Sequence, residues 1–149
     1  MQGPKLYKKL FVYTGNTNYG VQNLEYDQDT GDLWMMVYEG RKPQYPNYPV
    51  YLVDGSIPPH EETLRIYGKA YPENLHGEVL TLKEGAGQYH SESGVWGIPV
   101  MPGKADTGFI SLGGDLFYVA ESGKENDLQY GYATLMRLNR KDWTFSKVE

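Results

Sequence analysis

The sequence has no cysteine, which excludes disulfides, thiolate metal sites and cysteine nucleophiles together. It also lacks a long apolar run. The longest, Leu33 to Tyr38, is far too short to cross a bilayer, so no membrane partner is expected. Met1 to Lys9 is polar and basic with no apolar segment after it, so no secretory signal is visible. The chain therefore reads as cytoplasmic or as a segment cut from an exported protein. Excess positive charge is missing too. The formal net charge is −5, which argues against nucleic acid as a partner. Helical periodicity is scarce: no three turns carry apolar residues at i, i+3, i+4 and i+7. The best helix candidate, His60 to Ala70 after Pro58-Pro59, amounts to about one turn.

What the sequence does have is strand material and turn residues. With 149 residues and 40% hydrophobic side chains it holds one ordinary domain with a core. Its 18 glycines and 14 tyrosines point to a turn-rich, strand-rich fold. Strand patterns occur at Lys9 to Tyr13, Val21 to Tyr26, Leu33 to Tyr38, Val50 to Val53, Phe109 to Leu112, Leu116 to Ala120, Tyr132 to Leu138 and Trp143 to Val148. Leu64 to Tyr67 and Val79 to Leu82 are weaker. Asp27 to Asp32 reads as a hairpin loop. The run Leu33 to Tyr38 is apolar at every position, as in a strand covered on both faces.

The two halves resemble each other. Gly31-Asp32-Leu33-Trp34 lies over Gly114-Asp115-Leu116-Phe117, an offset of 83 residues. Gly20 to Leu24 lies over Gly108 to Leu112, and Val50 to Asp54 over Leu135 to Asn139. Leu10 to Gly15 lies loosely over Leu80 to Gly85. The order of strands and loops recurs, which predicts two repeats within one domain, about 5–70 and 78–149. Gly20-Val21-Gln22-Asn23-Leu24-Glu25-Tyr26-Asp27, followed by Thr30-Gly31-Asp32-Leu33-Trp34, resembles a β-propeller blade of the NHL or regucalcin-like kind. The resemblance implies two related four-stranded antiparallel sheets of blade type. A β-sandwich of jelly-roll type is the structural alternative. Propellers usually need four or more blades, so two imply a partial ring. Either copies complete it as a homo-oligomer, or the chain is part of a longer one.

Candidate chemistry is sparse. Asp27, Asp29 and Asp32 surround Gly31 like part of a calcium loop, but no glutamate stands at the twelfth position, and a solvated hairpin explains them as well. No other cofactor is indicated. His60, His76 and His90 each precede a glutamate by two residues, a spacing that puts both on one face of a strand. Ser91 beside His90 lacks a nucleophile elbow, and no phosphate-binding loop occurs. The aromatic residues are the better binding candidates. Tyr45 and Tyr48 lie in the proline-stiffened segment Pro43 to Pro49, and rigid tyrosines lose little entropy on binding. Tyr19, Trp96 and the neighbouring Gln22 and Asn23 complete a set suited to stack on a sugar and bond its hydroxyls. Tyr71, Tyr89, Tyr130 and Tyr132 also fall near loops. The expectation is thus a non-catalytic ligand-binding or scaffold module, with a small molecule or glycan as ligand. The alternatives are a hydrolase or lyase using Gln22, Asn23 and Glu25 on an inner strand, and a structural fragment of a larger propeller.

Overall fold

The computed structural model describes residues 8–15, 20–38, 48–65 and 74–149. Every regular element among them is a strand, and the all-β expectation holds. In chain order these are β1 (Phe11–Val12), β2 (Val21–Tyr26), β3 (Leu33–Val37), β4 (Val50–Val53), β5 (His60–Arg65), β6 (Asn74–Leu80), β7 (Gln88–His90), β8 (Val95–Gly97), β9 (Phe109–Gly113), β10 (Leu116–Glu125), β11 (Leu128–Asn139) and β12 (Thr144–Lys147). They form four sheets, and among the described residues no barrel closes.

Two antiparallel meanders make the centre: β2-β3-β4, and β9-β10-β11-β12. The first hairpin closes as its residues demand. Asp27 N donates to Asp32 O at 2.9 Å, and Gly31 takes a left-handed φ of 76°. Along β3 successive side chains go to opposite faces. Trp34 and Met36 join a core with Phe109, Phe117, Val119, Met136 and Leu138 of the second meander. Met35 and Val37 join another with Val12, Tyr51, Leu80 and Val95. The apolar run is therefore covered on both faces. On one side lies the second meander; on the other lie the β1-β6-β5 sheet and the β7-β8 hairpin. The β10-β11 hairpin is closed by Asn126 and Asp127, both with positive φ, the two-residue turn whose twist matches its strands.

Three expectations are corrected. First, His60 to Arg65 is a strand rather than a helical turn. It pairs with β6 over its whole length, from His60↔Val79 to Arg65↔Asn74, so its backbone groups find partners that one isolated turn would leave open. Second, among the described residues the first meander has three strands where four were expected. The open edge of β4 is taken by two short contacts instead: Ile98 N donates to Val50 O and Lys83 N to Leu52 O. Pro58 and Pro59 also lack the amide hydrogens a fourth strand would need. Third, the stretch between Leu82 and Phe109, where the sequence shows no strand pattern, contains the β7-β8 hairpin.

Candidate functional site

The acidic hairpin is a brace between the two meanders. Asp27 and Asp32 are buried. Asp27 Oδ2 accepts from Arg140 Nη2 at 3.2 Å, while Arg140 Nε donates to Asp115 Oδ1 at 2.6 Å. Asp29 Oδ2 accepts from the Gly114 amide at 2.7 Å. Asp32 Oδ1 instead accepts from Lys83 Nζ at 2.8 Å and from the Gly55 amide at 3.1 Å. The three carboxylates thus point to three different partners, and among the described residues no three His, Asp or Glu side chains converge as metal ligands. Burial works against the Arg140 charge, but the hydrogen bonds and charges of Asp115 and Asp27 outweigh it and hold the guanidinium above its ordinary range.

The strand β2 takes part in the same brace. Asn23 Nδ2 donates to Ala105 O at 3.0 Å, and Glu25 Oε1 accepts from the Ser111 amide at 2.8 Å. Gln22 is exposed at the bulge between Val21 and Asn23. Asn23 and Glu25 therefore hold β9 and its approach rather than pointing into a common opening.

The aromatic candidates separate. Tyr19 and Tyr45, and also Tyr71, lie outside the described residues. Tyr48 is buried, which corrects its reading as a displayed ring. Gly97 has no side chain to occupy the space that the Tyr48 ring fills, and a Cβ there would collide with it. The Tyr48 ring also meets Tyr51 edge-on at 6.0 Å. Burial raises the pKa of the Tyr48 phenol, and that of Tyr51 further.

Of the described aromatic candidates, Trp96 borders a cleft. It packs against Tyr89 across the β7-β8 hairpin, ring centres 5.2 Å apart. The cleft beside it, of about 240 Å³, is lined by Tyr13, His60, Glu62, Val79, Leu82 and Trp96, among others. His60 Nε2 and Glu62 Oε2 pair at 3.0 Å along one face of β5. The spacing of two residues had the right meaning here, but only because the segment is a strand. The other two histidines turn elsewhere: His76 pairs with Glu61 at 3.0 Å, and His90 Nδ1 with Ser93 Oγ at 2.9 Å. Tyr13 was missed as a site residue because its sequence neighbours mark it only as a strand end. A second cleft, of about 360 Å³, lies between Pro99 to Gly103 and the side chains of Trp143 and Phe145.

Compared with known proteins, the chain matches no family model, no curated protein and no solved structure.

Proposed function

We propose that this chain is a non-catalytic scaffold module of β-propeller type, in which sheets stack head to tail and the last sheet receives a further one. The observation that carries this reading is which faces meet. In a strand of L-residues, the side to which a peptide group points fixes the face its side chain takes. Asp32 O accepts from Asp27 N and Val37 N donates to Pro49 O, so the peptide groups of Trp34 and Met36 point to the preceding strand, β2. Ala120 N donates to Gly108 O and Asp115 O accepts from Leu138 N, so those of Phe117 and Val119 point to the following strand, β11. The meanders meet through unlike faces. Two related sheets facing each other about a two-fold axis would meet through like faces; a head-to-tail contact is the kind that generates rings.

Tyr38 N donates to Gly20 O as Ala120 N donates to Gly108 O, so the offset between β3 and β10 is 82 rather than 83, Trp34 lies over Leu116 rather than Phe117, and the counterpart of the Trp34 face in the second meander is the face of Leu116 and Tyr118. Among the described residues nothing covers this face. Tyr118 is 45% exposed and Ile110 opposite it 56%, with Leu135 on the other side of Tyr118. A contiguous exposed apolar patch marks an interaction surface. Light scattering on the folded chain at high concentration is expected to report species heavier than one 16.9 kDa chain. The paired substitution Ile110→Lys/Tyr118→Lys should return it to single-chain mass with an unchanged circular dichroism spectrum. A wild-type monomer at every soluble concentration would overturn assembly from copies.

A second reading, carbohydrate binding, is favoured by the cleft beside Trp96. An indole and a phenol flank a space of monosaccharide size, and the His60–Glu62 pair offers hydrogen bonds at its rim. Trp96→Ala is expected to weaken binding of the best methyl glycoside about tenfold, equivalent to roughly 1.4 kcal/mol. A glycan array that shows no binder for the folded protein sinks this reading.

A further inference from the structure

The β10-β11 hairpin runs on past the core. Its inward face begins with Phe117, Val119 and Met136, all buried against the first meander. Farther out the same face carries Tyr132, Tyr130 and Leu128, which are 47%, 48% and 73% exposed. The ladder places Tyr132 opposite Glu121 and Tyr130 opposite Gly123. Both rings lie down across β10. The Tyr132 hydroxyl donates to Glu121 Oε2 at 2.9 Å, which draws that ring over the neighbouring strand. The Tyr130 ring lies directly over Gly123, where any Cβ would collide with it. The two rings are 6.0 Å apart at their centres and 27° from parallel, and both tyrosines stay about half exposed. Beside it Lys147 Nζ pairs with Glu121 Oε1 at 3.0 Å.

We propose that Tyr130 and Tyr132 form a platform on which consecutive pyranose rings of a linear β-linked glycan stack, with the exposed Lys147 ammonium bonding their hydroxyls. Three features select this ligand. Half-exposed rings laid across a neighbouring strand offer π-faces to a ligand, and the C–H face of a pyranose with equatorial hydroxyls is flat and weakly positive, matching the negative face of the aromatic quadrupole. Two adjacent rings suit a ribbon-like chain better than a single sugar. Nucleic acid bases would also stack, but the chain carries a net charge of −5, so a phosphate backbone would be repelled. Glu121 keeps its charge because Lys147, Thr134 and Tyr132 hold its carboxyl below the ordinary range. The platform is separate from the Trp96 cleft and does not depend on it.

Affinity electrophoresis tests the proposal, with native gels containing hydroxyethylcellulose, xylan or glucomannan. The wild-type chain is expected to be retarded by at least one of them. Tyr130→Ala/Tyr132→Ala should raise the apparent dissociation constant about tenfold or abolish retardation. Gly123→Ala, which displaces the Tyr130 ring from its seat, should weaken retardation severalfold. Tyr26→Ala removes a tyrosine on another sheet that is more exposed than either, 58%, and should change nothing. Because Tyr130 and Tyr132 lie outside the buried clusters, both tyrosine variants should keep the wild-type circular dichroism spectrum, and Tyr130→Ala alone provides a milder version. Absence of retardation by all three polysaccharides overturns the proposal. So does retardation that survives undiminished in the double tyrosine variant, which would assign it to another site such as the cleft.

Discussion

Trp34→Ala should cost about 3–5 kcal/mol of stability, near the top of the range for a core aromatic. The reason lies in how many elements meet on one ring. Trp34 is 0% exposed, and its ring centre lies 5.6 Å from that of Phe109, 5.5 Å from Phe117, 6.3 Å from Trp143 and 5.9 Å from Phe145. These four rings come from β9, β10, β12 and the turn before β12, so truncation opens a cavity at the point where the two meanders touch. The rings around it also stack on each other, with Phe109 and Phe117 at 4.7 Å, and cannot collapse inward without losing those contacts. For a chain of this length a loss of that size lowers the melting temperature by on the order of 10–20 °C. Trp34→Phe is the informative companion. The indole Nε1 is buried without a hydrogen-bond partner among the described residues. Phenylalanine therefore gives up volume but removes an unsatisfied donor, and its cost should stay at about 1–2 kcal/mol. Urea unfolding of the three proteins measures both values. A Trp34→Ala loss below about 2 kcal/mol would mean that this ring is not the joint between the sheets.

The two meanders were legible in the sequence because their signals are local. Val21 to Tyr26 and Val50 to Val53 are strands at the bounds their residues set, and Leu33 to Val37 follows an Asp-Gly turn cluster with apolar residues on both faces. The segment from His60 to Gly97 was legible only in part, as the weaker strands Leu64 to Tyr67 and Val79 to Leu82 that overlap β5 and β6, for the opposite reason. Residues His60, Glu61 and Glu62 carry no strand pattern, and β5 exists because β6 offers it a complete ladder. Such pairing is decided by tertiary neighbours rather than by side-chain propensity. The acidic hairpin shows the same division. Asp27, Asp29 and Asp32 were visible as a carboxylate-rich turn, but the partners that give them meaning are far along the chain: Arg140 for Asp27, Gly114 for Asp29 and Lys83 for Asp32. Among the aromatic candidates, Tyr48 and Trp96 differ only in what lies opposite them. Gly97 opens a seat for one, whereas the other borders the β5 and β6 sheet edge.

Lys83→Met is expected to destabilise the fold by about 3–5 kcal/mol, more than its own exposure would suggest. The cost arises on Asp32. That carboxylate is fully buried; its Oδ1 accepts from Lys83 Nζ and the Gly55 amide, and its Oδ2 has no partner among the described residues. Lys83 is the sole cation paired with it among the described residues, and it reaches Asp54 Oδ1 at 3.6 Å as well. Methionine matches the aliphatic stem of lysine but leaves the Asp32 charge uncompensated in the interior, where a lone carboxylate is far costlier than a broken surface pair. Asp32→Asn is the opposite case. It removes the buried charge, keeps an acceptor for the Gly55 amide, and leaves Lys83, which is partly exposed, free to turn toward Asp54 and water. Its cost should be about 1–2 kcal/mol. The double variant Lys83→Met/Asp32→Asn should therefore be more stable than Lys83→Met alone, a sign reversal that no account based on lost contacts predicts. Guanidinium unfolding of the four proteins in the cycle decides it. Strictly additive losses would place the stabilising role in the lysine stem packing along β4 rather than in neutralisation of Asp32.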